Sequence, residues 1–173
     1  MLVPLNDLST INILDLLVPI KSFPPNIKLT SFHEGILIKE LSIKNIITNT
    51  GLAEMAGLIG LDTQGSVTAF DYIAWGSDDT AAAATQTSLI SEHATGGAER
   101  AAGTGSRTTT TTTNDTFQLE KSFIFTSSLN LREIGIFNNS SGGTMLSRQT
   151  LVIDVIAADA ITVDYKIIFS RAA

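Results

Sequence analysis

The side chains that most often carry out chemistry in proteins are scarce and scattered in this sequence. Its 173 residues include no cysteine and only two histidines, His33 and His93, with no metal-ligand spacing around either one. The absence of cysteine excludes thiolate nucleophiles, disulfide frameworks and cysteine-based zinc sites, and it leaves the redox compartment open. We therefore interpret both histidines as surface or packing residues.

Three further patterns are too incomplete to predict a site. Asp78-Asp79 suggests a cation loop, but the acidic spacing, central glycine and terminal glutamate of an EF-hand are missing, which favours a turn built by Asx hydrogen bonds. Gly103-x-Gly105 lacks the third glycine and the following helix of a dinucleotide site. No nucleophile-elbow pattern surrounds the candidate serines Ser66, Ser106 and Ser170.

Arg132 and Glu133 lie inside a predicted strand, where a carboxylate could act as an acid or base. No second positioned group accompanies Glu133, so a cross-strand ion pair is the favoured interpretation. The sequence thus predicts no catalytic, cofactor-binding or metal-ligating residue and no cofactor. We expect a protein that is not an enzyme.

The composition points to a surface that other chains cover. Only 16% of residues are charged, against about a quarter in an average soluble domain, while 43% are apolar and the mean hydropathy is +0.24. The net charge of −6 offers nothing to a phosphate backbone, so nucleic acid is not an expected partner. We predict a homo-oligomer, either a trimer or a larger ring.

No segment is predicted to span a membrane. The longest nearly apolar window, residues 11–20, is interrupted by Asn12, Asp15 and Pro19 and is shorter than the roughly 20 residues that a spanning helix needs. The N-terminal residues also lack the basic region of a signal peptide. We expect a protein that is made and used without secretion by that route.

The sequence divides into an extended N-terminal arm, residues 1–34, and one domain, residues 35–173. The arm holds all four prolines of the chain, and Pro24-Pro25 forces an extended segment that cannot be an interior strand. It is nevertheless rich in apolar residues such as Leu16 and Leu17. Two alternatives follow: the arm packs on its own domain, or it docks on a neighbouring subunit.

One short helix is predicted after a first strand or two around residues 36–43. Its apolar stripe has the helical spacing i, i+3, i+4 and i+7, formed by Leu52, Met55, Ala56 and Ile59. Asn49 or Thr50 can cap the start and Gly60 can end the helix, whereas Gly51 and Gly57 weaken it.

From residue 67 onwards the pattern favours strands joined by tight turns. Residues 67–76 predict a buried strand carrying Tyr72 and Trp75, and the six threonines of residues 108–113 predict an exposed strand. Later segments alternate apolar and polar residues, with Gly135 interpreted either as a β-bulge or as a place of close approach. The fold class is therefore mainly β: an antiparallel β-sandwich with one short helix and an extended N-terminal arm. The predicted core comprises Phe123, Phe125, Ile136, Ile153, Val163, Tyr165 and Ile167.

The order of several short motifs resembles a group of small structural proteins of tailed bacteriophages and prophages, described as tail-fibre-like or baseplate-associated. The resemblance covers roughly residues 45–170, and each motif is weak by itself. The motifs are Thr48-Asn49-Thr50-Gly51-Leu52-Ala53, Phe70-Asp71-Tyr72-Ile73-Ala74-Trp75-Gly76, Asp79-Thr80-Ala81-Ala82-Ala83, Thr87-Ser88-Leu89, Glu92, Arg100, Leu131-Arg132-Glu133-Ile134-Gly135-Ile136-Phe137, Gly143-Thr144-Met145-Leu146-Ser147-Arg148 and residues 161–169.

The resemblance implies a virion component, made in the host cytoplasm, with itself and other virion proteins as partners. A tail, baseplate or fibre-base subunit is the first expectation, and a capsid-surface decoration or head-fibre protein is the alternative. A host-glycan-binding module is a third, weaker one, since one tryptophan and two tyrosines supply few stacking platforms. Nothing in the sequence supports a host receptor as a partner.

Overall fold

The computed structural model describes residues 26–33, 35–60 and 68–169, which form two five-stranded antiparallel sheets and one helix. Sheet A has the strand order β2-β1-β10-β7-β6 and sheet B the order β3-β9-β8-β4-β5. The elements are β1 (Asn26–His33), β2 (Ile36–Lys44), β3 (Ile46–Ile47), α1 (Asn49–Gly60), β4 (Tyr72–Gly76), β5 (Ala101–Ala102), β6 (Thr104–Thr108), β7 (Thr116–Ile124), β8 (Leu129–Phe137), β9 (Met145–Val155) and β10 (Asp159–Ile168). The predicted fold class is confirmed.

One apolar core lies between the sheets. Every second residue of β10 is buried, as its alternating sequence predicts, and these residues meet buried side chains of sheet B. At the centre, the Trp75 and Phe123 rings pack edge to face with centroids 5.7 Å apart. The predicted core residues are buried, except that Ile153 is only partly so.

The domain boundary differs from the prediction. Residues 26–33 were expected in the arm, but they form β1, an inner strand that pairs with β10 on one side and β2 on the other. Ile27 and Leu29 point into the core because they alternate with polar residues, a pattern that begins just after the last proline. The domain therefore includes residue 26, and the rest of the predicted arm, residues 1–25, lies outside the described residues.

The chain changes sheets at Asn45. β2 is the edge strand of sheet A, whereas β3 pairs with β9 in sheet B. The buried Asn45 side chain accepts a hydrogen bond from the Ile46 amide (2.8 Å) and donates one to Ser147 Oγ (2.7 Å). These bonds satisfy the side chain where the strand pairing is interrupted.

The helix is capped one residue earlier than predicted. Thr48, not Asn49 or Thr50, caps it, since the Thr48 hydroxyl accepts a hydrogen bond from the Gly51 amide at 3.0 Å. A Cβ at Gly51 would lie 2.7 Å from the Leu146 Cα, so this glycine lets α1 lie directly on β9. The predicted stripe holds only in part, because Leu52 is exposed while Met55 packs on the core.

Two predicted strands are shorter than expected. The strand predicted over residues 67–76 begins at Tyr72, with residue 67 outside the described residues. In the threonine run only Thr108 belongs to a strand. The rest forms a turn around Asp115, whose carboxylate accepts hydrogen bonds from the amides of Thr110, Thr111 and Thr112 at 2.7–2.8 Å. Because one carboxylate accepts hydrogen bonds from three backbone amides, the turn is favoured over the strand that the β propensity of threonine predicts.

Candidate functional site: the segment 77–100 and the apolar end

The connection between β4 and β5, residues 77–100, contains none of the named strands or helices, although it carries several motifs of the sequence. Its first part closes on itself: the Ser77 amide donates to the Ser91 carbonyl and the His93 amide to the Trp75 carbonyl, both at 2.8 Å. A connection of this length without regular structure is uncommon in a compact domain and is often functional. The contacts that hold it therefore bear on function.

Glu133 holds the middle of this segment from the outer face of sheet B, because it alternates along β8 with the core residues Ile134 and Ile136. It lies on β8 with no exposed surface, and its carboxylate accepts hydrogen bonds from the Ser91 amide (2.7 Å), the Ile90 amide (3.1 Å) and Arg148 Nε (2.7 Å). Gly76, its neighbour on β4, leaves room for this side chain, because a Cβ there would lie 2.6 Å from Glu133 Cγ. The carboxylate therefore has a structural role, since it binds two backbone amides and a buried arginine.

Arg148 holds the start of the segment. This buried side chain on β9 donates from Nη1 to the Thr80 carbonyl (2.8 Å) and to Gln86 Oε1 (3.1 Å), and its Nη2 lies 3.8 Å from Asp78 Oδ1. Hydrogen bonds from Thr80 are the main reason why the pKa of Asp78 lies below its ordinary value, and the positive charge of Arg148 adds to them. The Thr80 amide donates to Asp78 Oδ1, which confirms the predicted Asx turn.

A second arginine, Arg100, anchors the end of the segment. Its guanidinium makes a bidentate pair with Glu92 (2.9 and 2.6 Å) and donates from Nη1 to the carbonyls of Asn139 (3.0 Å) and Gly142 (2.8 Å). The guanidinium also stacks on the Phe137 ring, with Arg100 Cζ 3.6 Å from the ring centroid. Arg100 thereby joins the segment to the turn between β8 and β9.

An apolar contact between Leu89 and β8 also holds the segment 77–100 in place. Leu89 packs on Gly135 of β8, where a Cβ would lie 2.9 Å from Leu89 Cδ2. The register irregularities of β8 fall beside Leu131 and Ile136, not at Gly135 itself. Of the two interpretations of this glycine, close approach is therefore the one that the structure supports.

Several residues that carry the resemblance, among them Glu133, Arg148 and Arg100, are thus ones that hold residues 77–100 in place. The predicted cross-strand ion pair of Glu133 is confirmed, but the sequence did not identify Arg148 as its partner. It also gave no signal for the pairing of Arg100 with Glu92, because both lie in a stretch without periodicity. Arg132, the other charged residue considered, pairs with Asp154 at 2.6 Å on the neighbouring strand.

The remaining sequence candidates are dispersed. His33 Nδ1 lies 2.6 Å from Asp159 Oδ1, and His93 Nε2 lies 3.2 Å from the Asn130 carbonyl oxygen. Ser106 is exposed on β6, while Ser66 and Ser170 lie outside the described residues. Over residues 26–33, 35–60 and 68–169, no three His, Asp or Glu side chains are grouped so as to hold a metal ion.

A second feature, the apolar end, is a set of exposed apolar side chains near the β1–β2, β7–β8 and β9–β10 turns; Ile124 at the end of β7 pairs with Ala160 of β10, so the β7–β8 turn lies beside the β9–β10 turn. His33 pairs with Asp159 across β1 and β10 and with Ile36 across β1 and β2, so the β1–β2 and β9–β10 turns lie side by side. Six of the ten large apolar side chains that are exposed in the described residues belong to this end. They are Ile36, Leu37, Ile38, Ile124, Val152 and Ile156.

Comparisons with known proteins add no relative. No protein-family model, curated protein or solved structure matches the chain. In the described part of the chain, no helix combines the length and the apolar character that crossing a membrane requires.

Proposed function

We propose that this chain is a non-enzymatic structural subunit of a tailed-virus particle, in its tail, baseplate or fibre base, and acts by self-assembly into a trimer or ring and by docking on other virion proteins. The observation that most directly supports assembly with other chains is the apolar end. Isolated exposed apolar residues are ordinary, whereas six near one end of a well-packed domain support contact with another chain.

The arrangement of the polar groups supports a structural role. The charged residues Glu133, Arg148 and Arg100 bind backbone groups within the fold, and Glu133 also pairs with Arg148 and Arg100 with Glu92. Their effect is to fix a long irregular segment on the outside of a rigid sandwich. Such a segment suits repeated, geometrically defined contacts in an assembly.

A capsid-surface decoration or head-fibre protein remains the alternative, since the same surface would suit a capsid lattice. The glycan-binding hypothesis loses its best platform, because Trp75 has no exposed surface and packs in the core. Tyr72 is only partly buried, and a single tyrosine is a poor base for glycan stacking.

Immunogold labelling tests this proposal. Virus particles are induced from the bacterial strain that encodes the chain, purified on a density gradient and labelled with an antibody against it, with particles from a strain lacking the reading frame as the control. We expect label at the tail or baseplate. Label on the head would favour the alternative, and particles that contain none of the chain would show the proposal to be wrong.

A further inference from the structure

The two outer strands of sheet A, β2 and β6, differ in how well they are protected against pairing with another chain. β2 carries the charges of Lys39 and Glu40 and has a register irregularity against β1. Charged side chains and bulges are common means by which proteins protect a sheet edge. β6 contains no proline, pairs with β7 without a register shift, and carries one charge, Arg107. β6 is therefore the less protected of the two edges.

The outer edge of β6 is open to solvent. Residues 104–107 are all exposed. Within the described part of the chain, residues 104–108 make no hydrogen bond besides their pairing with residues 116–120 of β7. Backbone N–H and C=O groups of an antiparallel strand point alternately to its two sides. The outer edge of β6 thus offers backbone donors and acceptors to one further strand.

We propose that β6 pairs antiparallel with β6 of a second copy of this chain, across a two-fold axis at Ser106. Over the whole strand, this register sets Ser106 against Ser106 and Thr104 against Thr108 of the other copy. Arg107 then faces Gly105, so no like charges oppose each other. Threonine and serine opposite one another are favourable cross-strand pairs. The sequence of β6 is therefore complementary to itself.

The same pairing is unfavourable for β2. Antiparallel pairing of β2 with a second β2 over its whole length, residues 36–44, would set Glu40 against Glu40. Like charges directly opposite each other destabilise a strand pair. The charge pattern of the two outer strands of sheet A therefore favours β6 as the contact between copies.

The side chains beside β6 leave room for the second strand. Thr104 and Ser106 lie opposite Glu120 and Gln118 of β7, on the outer face of sheet A. Gly105 and Arg107 lie on the other face. A Cβ at Gly105 would have only the Phe117 ring nearby, at 3.5 Å, so Arg107 of the second copy meets open space there. The two five-stranded sheets join into one sheet of ten strands.

This contact differs in kind from the one at the apolar end. It is isologous and closes after two copies. Five paired residues on each side make a small interface, which is typical of a weak contact, and repetition in an assembly reinforces weak contacts. The inference goes beyond the proposed function, because it requires no other virion protein. Combined with a trimer or ring, a two-fold contact gives an assembly with dihedral symmetry.

Disulfide trapping of the full-length chain tests the contact. The sequence has no cysteine, so an engineered one reports without background. In Ser106→Cys the two cysteines face each other with Cα atoms about 4.5–5.5 Å apart, which a disulfide can bridge. We expect a disulfide-linked dimer on non-reducing gels after mild oxidation. The matched control is Ser122→Cys, at an exposed position on the outer face of β7, and we expect at least tenfold less dimer from it.

A mixed experiment tests the direction of the strands. Differently tagged Thr104→Cys and Thr108→Cys chains are oxidised separately and together. We expect at least tenfold more dimer carrying both tags than dimer of either variant with itself. Stronger linkage of each variant to itself would show parallel pairing and would overturn the inference. Ser106→Cys dimer no more abundant than the Ser122→Cys dimer would overturn it as well.

Charge substitutions at the axis supply an independent readout by sedimentation. Ser106→Lys and Ser106→Glu each set like charges against each other, so each should weaken dimerisation at least tenfold. A mixture of the two should restore it, because opposite charges then face each other, whereas a mixture of Ser122→Lys and Ser122→Glu should bring no gain. Equal self-association of the wild type, both single variants and their mixture would overturn the inference. The virion proposal would still stand in that case, since labelling of particles tests it separately.

Discussion

The segment 77–100 and the apolar end differ in two properties: how regular their secondary structure is, and how far the rest of the fold covers them. The segment has almost no regular secondary structure, yet Glu133 and Arg148 bind its backbone groups from the sheet beneath it, and Arg100 ties its end to the turn between β8 and β9. The apolar end consists of regular strands and tight turns, yet it exposes six large apolar side chains, and no described strand pairs with the outer edge of β2 or with residues 149–155 of β9. Regular secondary structure therefore does not indicate which surface is covered: side chains of the fold bind the irregular segment, whereas the regular end keeps large apolar side chains exposed.

Breaking the buried ion pair should have the largest effect. Arg148→Met leaves the Glu133 carboxylate buried without its charged partner, which should lower the free energy of unfolding by about 3–5 kcal/mol. The measurement is urea denaturation followed by tryptophan fluorescence, since Trp75 is the only tryptophan.

The double variant Arg148→Met/Glu133→Leu serves as the control for that prediction. It removes the uncompensated charge, so it should recover part of the lost stability. If the double variant is as unstable as the sum of the two single variants, the two side chains are not energetically coupled and the segment is held by its other contacts.

Arg100→Lys should have an intermediate effect. A lysine ammonium cannot reproduce the bidentate pair with Glu92, the two carbonyl contacts and the stacking on Phe137. We expect a loss of about 1–3 kcal/mol in the free energy of unfolding and faster hydrogen exchange of amides in residues 92–100. Arg107→Lys, at an exposed position on β6, is the matched control and should leave both measurements unchanged.

Val152→Ser, at the apolar end, should change the stability of an isolated subunit by less than about 0.5 kcal/mol, because Val152 is 68% exposed. The comparison is made by thermal unfolding at a concentration where light scattering shows no assembly. A loss as large as that of Arg100→Lys would show that Val152 belongs to the core of its own chain and would remove the contrast between the two regions.

Protonation of Asp115 should have the smallest effect and should be confined to the turn that its carboxylate organises. Backbone hydrogen bonds, chiefly from Thr112 and Thr110, hold the pKa of Asp115 well below its ordinary value of 3.8. A lowered pKa in the folded state stabilises the turn at pH values above 3.8, and this contribution is lost as the pH falls below that value toward the folded-state pKa.

Amide resonances of Thr110, Thr111 and Thr112 followed by NMR from pH 6 downward measure this effect. They should stay constant through pH 4 and shift only well below it, because the carboxylate in the folded turn titrates at its lowered pKa. In Asp115→Asn they should differ from the wild type already at pH 6 and show no such transition. An identical titration in both proteins would mean that the carboxylate does not organise the turn.

Much of the fold follows from short-range pattern. The alternation of apolar and polar residues in β10 predicted which of its side chains are buried. The Asp78-Asp79 pair predicted the Asx turn at Asp78. Both features depend on residues only a few positions apart. The boundary of the arm was misplaced because a proline-rich composition extended over the neighbouring residues 26–33, whose alternation already belongs to a strand. The threonine run was misassigned because a single carboxylate five residues away competes with strand pairing.

The remaining features depend on parts of the chain that meet only after folding. Gly51 was expected to weaken its helix, but the closeness of the Leu146 backbone requires a residue without a side chain there. Glu133 and Arg148 are fifteen positions apart, and their pairing arises because β8 and β9 lie side by side while residues 77–91 close over them. The apolar end has the same origin: Ile38 and Val152 are far apart in sequence, and only the packing of the two sheets brings them to one groove. Local pattern determines which side of a strand is apolar, whereas the packing of distant segments determines which apolar residues remain exposed.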